Sequence, residues 1–269
     1  MPERYSPPEI LTSPLIEKLR LTESYASCVK SLAKTGVLET LRRSQDLGIV
    51  GFDGKEYPIP SQEEIARSLI ESEKRFETKR AQGFTELVLA PVAMPLETLF
   101  KRLENELRTR GEQGRIFAPG DRSKPLEVQK GIGNDDGPLY RWDEFEKGDV
   151  NETLLYYPKR YAQDTSEGMT KKQLMGTLSF PGWIVELQEA GDIPAQGKGA
   201  TQEGRTKLEA NQSPNDYLAA LHSMKENGMT VEGWIARFFK SLEERDEAID
   251  DFRGIGKLCY LLGNYTSSG

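Results

Sequence analysis

One histidine, His222, and two cysteines, Cys28 and Cys259, are all that this 269-residue chain offers a transition metal. Zinc sites draw on clustered His and Cys ligands. Cys28 and Cys259 lie far apart with no CxxC spacing, so neither a zinc site nor a disulfide framework is expected. A serine or cysteine nucleophile would have a single conceivable imidazole partner, and a histidine on a helix is as a rule structural or solvated. Excess positive charge is also missing: 36 basic against 43 acidic residues give a net charge of -7. That balance disfavours a general nucleic-acid binder, whose affinity comes from clustered Lys and Arg. Long apolar runs are absent too; no window approaches the ~20 residues that span a bilayer, and Met1 to Pro14 has no apolar core segment. A cytoplasmic protein in a reducing compartment, with no membrane contact, is the expectation.

What is present is clearest between Ser61 and Gly111. Ser61 with Glu64 three positions on forms a capping box, in which hydroxyl and carboxylate each satisfy an orphan amide of the first turn. Ile65, Ala66, Leu69, Ile70 and Phe76 follow at helical steps, and Gly83 ends the helix. Phe84 to Ala90 is too continuously apolar for a half-wet strand and is expected to be buried on both faces. Pro95 then suits the first turn of a second helix, with Leu96, Leu99, Phe100, Leu103 and Leu107 on one stripe until Gly111. Upstream, Pro14 to Leu47 has a helical pattern, with Leu15 to Leu41 threaded onto two short helices broken near Gly36 and Cys28 packed there; Asp53-Gly54 between apolar runs signals a hairpin.

Between Gly111 and Pro138 there are six glycines and three prolines, and the boundary between two domains is placed there. The expected organisation is an N-terminal helix-strand-helix domain over 1–111, a linker over 112–137 and an α+β domain over 138–269. Gly131, Gly133 and Gly137 lack the strand-to-helix context of a dinucleotide loop, and Gly254-Ile255-Gly256-Lys257 lacks the arch of a P-loop, so no cofactor is expected. In the second half, Leu139 to Phe145, Thr153 to Tyr157 and Trp183 to Leu187 look like strands, with a short helix over Thr170 to Leu178. Gly191 to Gln212 is a polar loop. Ser213-Pro214 opens a helix, Thr230 opens another that carries Val231, Trp234, Ile235, Phe238, Phe239, Leu242 and Ile249, and Leu258 to Leu262 closes the chain as a strand. The class is α+β.

Charged clusters are weighed against ordinary surface roles. The acidic run Glu243, Glu244, Asp246, Glu247, Asp250 and Asp251 has the oxygen donors of a calcium or magnesium site. Most such runs are solvated helix faces, with Arg253 or Lys257 as counter-charge. Lys74, Arg75, Lys79 and Arg80 make a small anion patch unless Glu71, Glu73 and Glu77 pair with them.

Pro60 to Ile65, Glu77 to Thr85 and Met94-Pro95-Leu96, then Tyr140 to Asp143, Tyr156 to Lys159, Gly204 to Asn211, Ser213-Pro214 with Tyr217-Leu218, and Ile249 to Asp251 with Gly254 and Gly256-Lys257 recur in order. Together they resemble an uncharacterised family of candidate-phyla bacteria of the Parcubacteria type. In that family the strand corresponding to Leu258 to Leu262 continues into a segment that resembles the variable region of diversity-generating retroelement target proteins, which resemble C-type lectin folds. Gly233 departs from the pattern, which usually shows an acid there. The resemblance implies a non-enzymatic binding or display scaffold, here without the variable end and with an incomplete lectin-like C-terminal domain. Its partner would be a protein or other macromolecule met through the C-terminal region, with Tyr260, Asn264 and Tyr265 the candidate binding surface. A different class stands beside it: a small cytoplasmic enzyme using carboxylates on the Trp142 to Glu146 segment or around Asp250, in a cleft between the domains. A third is a nucleic-acid adaptor acting through the Lys74 to Arg80 face. The residues themselves name no catalytic, cofactor or metal position.

Overall fold

The structure, a computed structural model, describes residue 17 and residues 20–118, 121–126, 143–161, 167–190, 194–249 and 261–266. Helix α1 (Leu21–Lys34) buries Leu21, Cys28 and Leu32 on one stripe. Strands β1 (Glu39–Thr40), β2 (Leu47–Val50) and β3 (Glu56–Pro58) form an antiparallel meander, turned between β2 and β3 around Asp53-Gly54. Ser61 and Glu64 make the reciprocal bonds of a capping box at the start of α2 (Gln62–Glu71), which is followed by α3 (Glu73–Ala81), β4 (Phe84–Ala90) and α4 (Leu96–Glu112). A ribbon of β5 (Phe117–Ala118) and β6 (Asp121–Pro125) comes next. The second half contributes α5 (Asp143–Gly148), β7 (Leu154–Tyr156), α6 (Lys171–Met175) and β8 (Ile184–Glu189). It continues with β9 (Thr201–Gln202), β10 (Arg205–Thr206), α7 (Pro214–Ser223), α8 (Val231–Arg245) and β11 (Asn264–Thr266). Helices and small antiparallel sheets are mixed along the chain, which is the α+β class.

The centre is the antiparallel pair β4–β8, in register from Ala90 opposite Ile184 to Phe84 opposite Glu189, with one irregularity between Phe84 and Glu86. Helices α1 and α8 pack on β4 and on each other, and α4 packs on α8. That cover explains why Leu87, Val88, Leu89 and Ala90 are all buried, as the unbroken apolar run predicts. The main core takes in Leu21, Leu32, Leu99 and Leu103 together with Trp183, Ile235 and Phe238, so residues 20–111 and 143–249 share it. A smaller cluster joins Tyr217, Leu218 and Leu221 of α7 to Leu262.

Several local expectations change. In the first segment the helix described in full is Leu21–Lys34; Leu38 and Leu41 are buried but flank strand β1, because Glu39 and Thr40 pair with Gly48 and Leu47. The helix expected from Ser61 to Gly83 is interrupted at Ser72, which leaves the helical region with φ -113° and ψ 24°. Helix α4 runs through Gly111 to Glu112, and Gly114, with φ +63°, supplies the left-handed residue beyond it. Residues 143–145 start a helix rather than end a strand, while 139–142 lie outside the described residues. The polar stretch 191–212 contains the hairpin β9–β10. Helix α8 stops at Arg245, before Ile249, where Asp246 turns left-handed. The terminal strand is Asn264–Thr266, two residues beyond the expected one, whose 258–260 portion lies outside the described residues. Among the described residues no helix is long and apolar enough to cross a membrane.

Candidate functional site

Of the three residues expected at a binding surface, Tyr260 lies outside the described residues, and Asn264 and Tyr265 are buried at 5% and 8% exposure. Asn264 Oδ1 accepts from the Val231 amide at 2.7 Å, and the Tyr265 ring meets Tyr161 edge-on at 5.3 Å. Both side chains therefore fasten β11 to the body instead of presenting a surface. His222 is exposed on α7. The acidic run pairs internally: Glu243 meets Lys30 at 2.8 Å and Lys34 at 2.6 Å, and Asp246 meets Arg110 at 2.5 Å. Asp250 and Asp251 lie outside the described residues. Among the described residues no group of three His, Cys, Asp or Glu side chains is placed to hold a metal ion. In the basic patch, Lys79 reaches Glu226 at 2.5 Å and sits over the Phe84 ring, whose other cation is Arg205, itself paired with Glu226 at 2.7 Å.

The most unusual chemistry sits at the N-terminus of α8, in a charged cluster that solvent does not reach. The Lys171, Asp149 and Glu232 side chains are all 0% exposed. Lys171, the first residue of α6 after a Thr170–Gln173 capping box, donates to Asp149 Oδ2 at 2.5 Å and to the Met94 carbonyl at 2.7 Å, and pairs with Glu232 Oε1 at 3.1 Å. Two of the ammonium's three donors are thus spent in hydrogen bonds, and Glu232 adds an ion pair. Asp149 Oδ2 also accepts from the Leu96 amide at 2.9 Å, so a residue far along the chain caps α4, whose own N-cap position, Pro95, has no side-chain donor or acceptor to offer. Glu232, in the first turn of α8, accepts from the Tyr156 hydroxyl at 2.6 Å. Burial, then the Glu232 carboxylate, pushes the Tyr156 phenol well above its ordinary value. Asp149 Oδ1 and Glu232 Oε2 have no hydrogen-bond partner.

Next to this cluster a polar seam runs between α8 and the central strands. Gly233, Arg237 and Lys240 are spaced four and three residues apart and so share one face of the helix. Glu186 Oε1 lies where a side chain at 233 would begin: a Cβ there would come within 2.2 Å of it. Arg237 donates to Gln188 Oε1 at 3.3 Å and to the Glu189 carbonyl at 3.2 Å, and Lys240 to Glu86 Oε2 at 2.9 Å. Glu186 accepts from Gln188 Nε2 at 3.1 Å. Its carboxyl is raised to about 7, first by desolvation and then by the Glu232 carboxylate, against the lowering effects of the Gln188 bond and of Arg237. Tyr157 is raised for the same reasons, burial first and then Glu186 and Glu232.

Sequence reading takes the Thr230 helix as an apolar stripe and passes over its polar face. At Gly233 any side chain would displace Glu186. Lys171, Asp149 and Glu232 carry no local signal, because the partners of each lie 22 or more residues away. No family model, curated protein or solved structure matches this chain.

Proposed function

We propose that this protein is a non-enzymatic binding scaffold of the retroelement-target type that its sequence resembles, with a lectin-like C-terminal part that meets a protein or other macromolecule at its C-terminal end. The observation that supports this reading is the closure of the Lys171–Asp149–Glu232 cluster. These ions face backbone groups and one another, so their attraction fixes where α4, α6, α8 and β7 lie. A display body benefits from such rigidity, since any ordering that accompanies contact with a partner subtracts from affinity. Strand β11 lies on that base: it pairs with β7 from Asn264 opposite Tyr156 to Thr266 opposite Leu154.

Two measurements test the proposal. The locus should carry a reverse transcriptase gene and a template repeat matching the 3′ end of the reading frame; a locus with neither overturns the retroelement reading. Diversified segments fused after Gly269 should leave the melting temperature within about 2 °C, under ~1 kcal/mol for a chain of this size. Wide scatter among such fusions would mean that the stability of the body depends on the segment fused to it, and would overturn the scaffold reading.

A further inference from the structure

We infer that Glu186 is a proton-linked lock, neutral when α8 sits tightest on β8 and loosening that seat when it ionises beside Glu232. The geometry is that of a half-buried carboxyl with one side-chain donor and a rival anion. Gln188 Nε2 supplies a hydrogen bond at 3.1 Å, while the guanidinium of Arg237 is directed to Gln188 Oε1 and the Glu189 carbonyl. The Gly233 amide already donates to Thr230 Oγ1 at 3.1 Å. Glu232 brings a second carboxylate, with one oxygen lacking any partner. Tyr157 from the β7 side contributes a phenol, and behind Glu232 stand Tyr156, Lys171 and Asp149.

Charge counting leads to the same place. Asp149 and Glu232 balance Lys171 and Arg237, so an ionised Glu186, half-buried beside Glu232, leaves a negative charge uncompensated, whereas a protonated one leaves the group neutral. On the helix side the carboxyl oxygen already lies within 2.2 Å of where a Cβ would stand at Gly233. With the folded carboxyl raised from 4.5 to about 7, the native state holds its proton more tightly than the unfolded chain does. The stabilisation is therefore complete below the unfolded value. It fades as the pH rises between the two values and is gone above the folded one. Ordinary surface carboxylates act in the opposite direction, so a difference between two chains isolates the effect.

The test is urea unfolding of the wild-type chain and of Glu186→Gln from about pH 5 to about pH 8. Glutamine imitates the neutral acid and can still accept from Gln188. The folding constant of wild type should fall, relative to the variant, by roughly 30- to 300-fold across that range. Parallel curves would overturn the inference. Carbon-detected NMR titration of the native wild-type carboxyl gives a second readout that needs no variant: a midpoint near neutrality is expected, and one in the ordinary glutamate range overturns it. Neither result depends on the scaffold reading, since failure of that reading would leave both curves where they are.

Discussion

Glycine at 233 and glutamate at 186 belong together, and neither is intelligible alone. In a helix interior alanine is ordinarily the better residue by about 1 kcal/mol. Here the added methyl would fall 2.2 Å from Glu186 Oε1, so the clash should outweigh propensity. Gly233→Ala is expected to destabilise by about 1 to 3 kcal/mol, the usual range for overpacking. Adding Glu186→Ala should recover most of that loss, and additive losses in a double-mutant cycle would refute the pairing. Lys171 poses a harsher case. Removing its ammonium in Lys171→Met leaves Asp149 and Glu232 facing each other without a counter-charge, which should cost about 3 to 5 kcal/mol in urea unfolding. Wild-type stability in that variant would mean that the cluster carries no structural weight.

Two helices begin with a cap borrowed from far along the chain. The first amide of α4 donates to Asp149, and the first amide of α8 donates to Asn264 beside that helix's own Thr230 cap, whereas α2, α6 and α7 are capped by their own Ser61, Thr170 and Ser213 alone. Local caps obey a short sequence rule, so these starts are legible; borrowed caps depend on where a distant segment comes to rest. Asn264→Leu should leave the buried Val231 amide without a partner, cost about 1 to 3 kcal/mol, and speed hydrogen exchange at Val231 and along β11. Unchanged exchange there would show that β11 is held by other contacts. Within α4, Leu103 is fully buried in the main core, and Leu103→Ala should cost about 2 to 5 kcal/mol in a thermal or urea melt.

Across the whole molecule, β4 from the first half and β8 from the second form the central pair, and one core runs through residues of both halves. Cutting that core at the Gly- and Pro-rich stretch would expose Leu87, Leu89 and Trp183 together. Tryptophan emission, to which buried Trp183 contributes, and far-ultraviolet helicity are therefore expected to change in a single coincident transition. Two separated transitions would show that the halves fold independently despite their shared strands.

By itself the sequence determined the α+β class, the strand over residues 84–90, the helix after it, the Asp53-Gly54 turn and the capped starts at Ser61 and Ser213. Each of these rests on periodicity, an unbroken apolar run, a turn dipeptide or a side chain bonding to backbone three residues away, all of them patterns local to the chain. Tertiary structure alone decided that 39–40 pairs as a strand, that the helix beginning at 62 breaks at Ser72, and that the closing strand lies at Asn264–Thr266. It alone brought Asp149, Lys171 and Glu232 together and set Glu186 against Gly233. These are contacts between residues 22 to 61 positions apart, where a charge removed from water is tolerated only beside its partner, and no local pattern encodes which partner that will be.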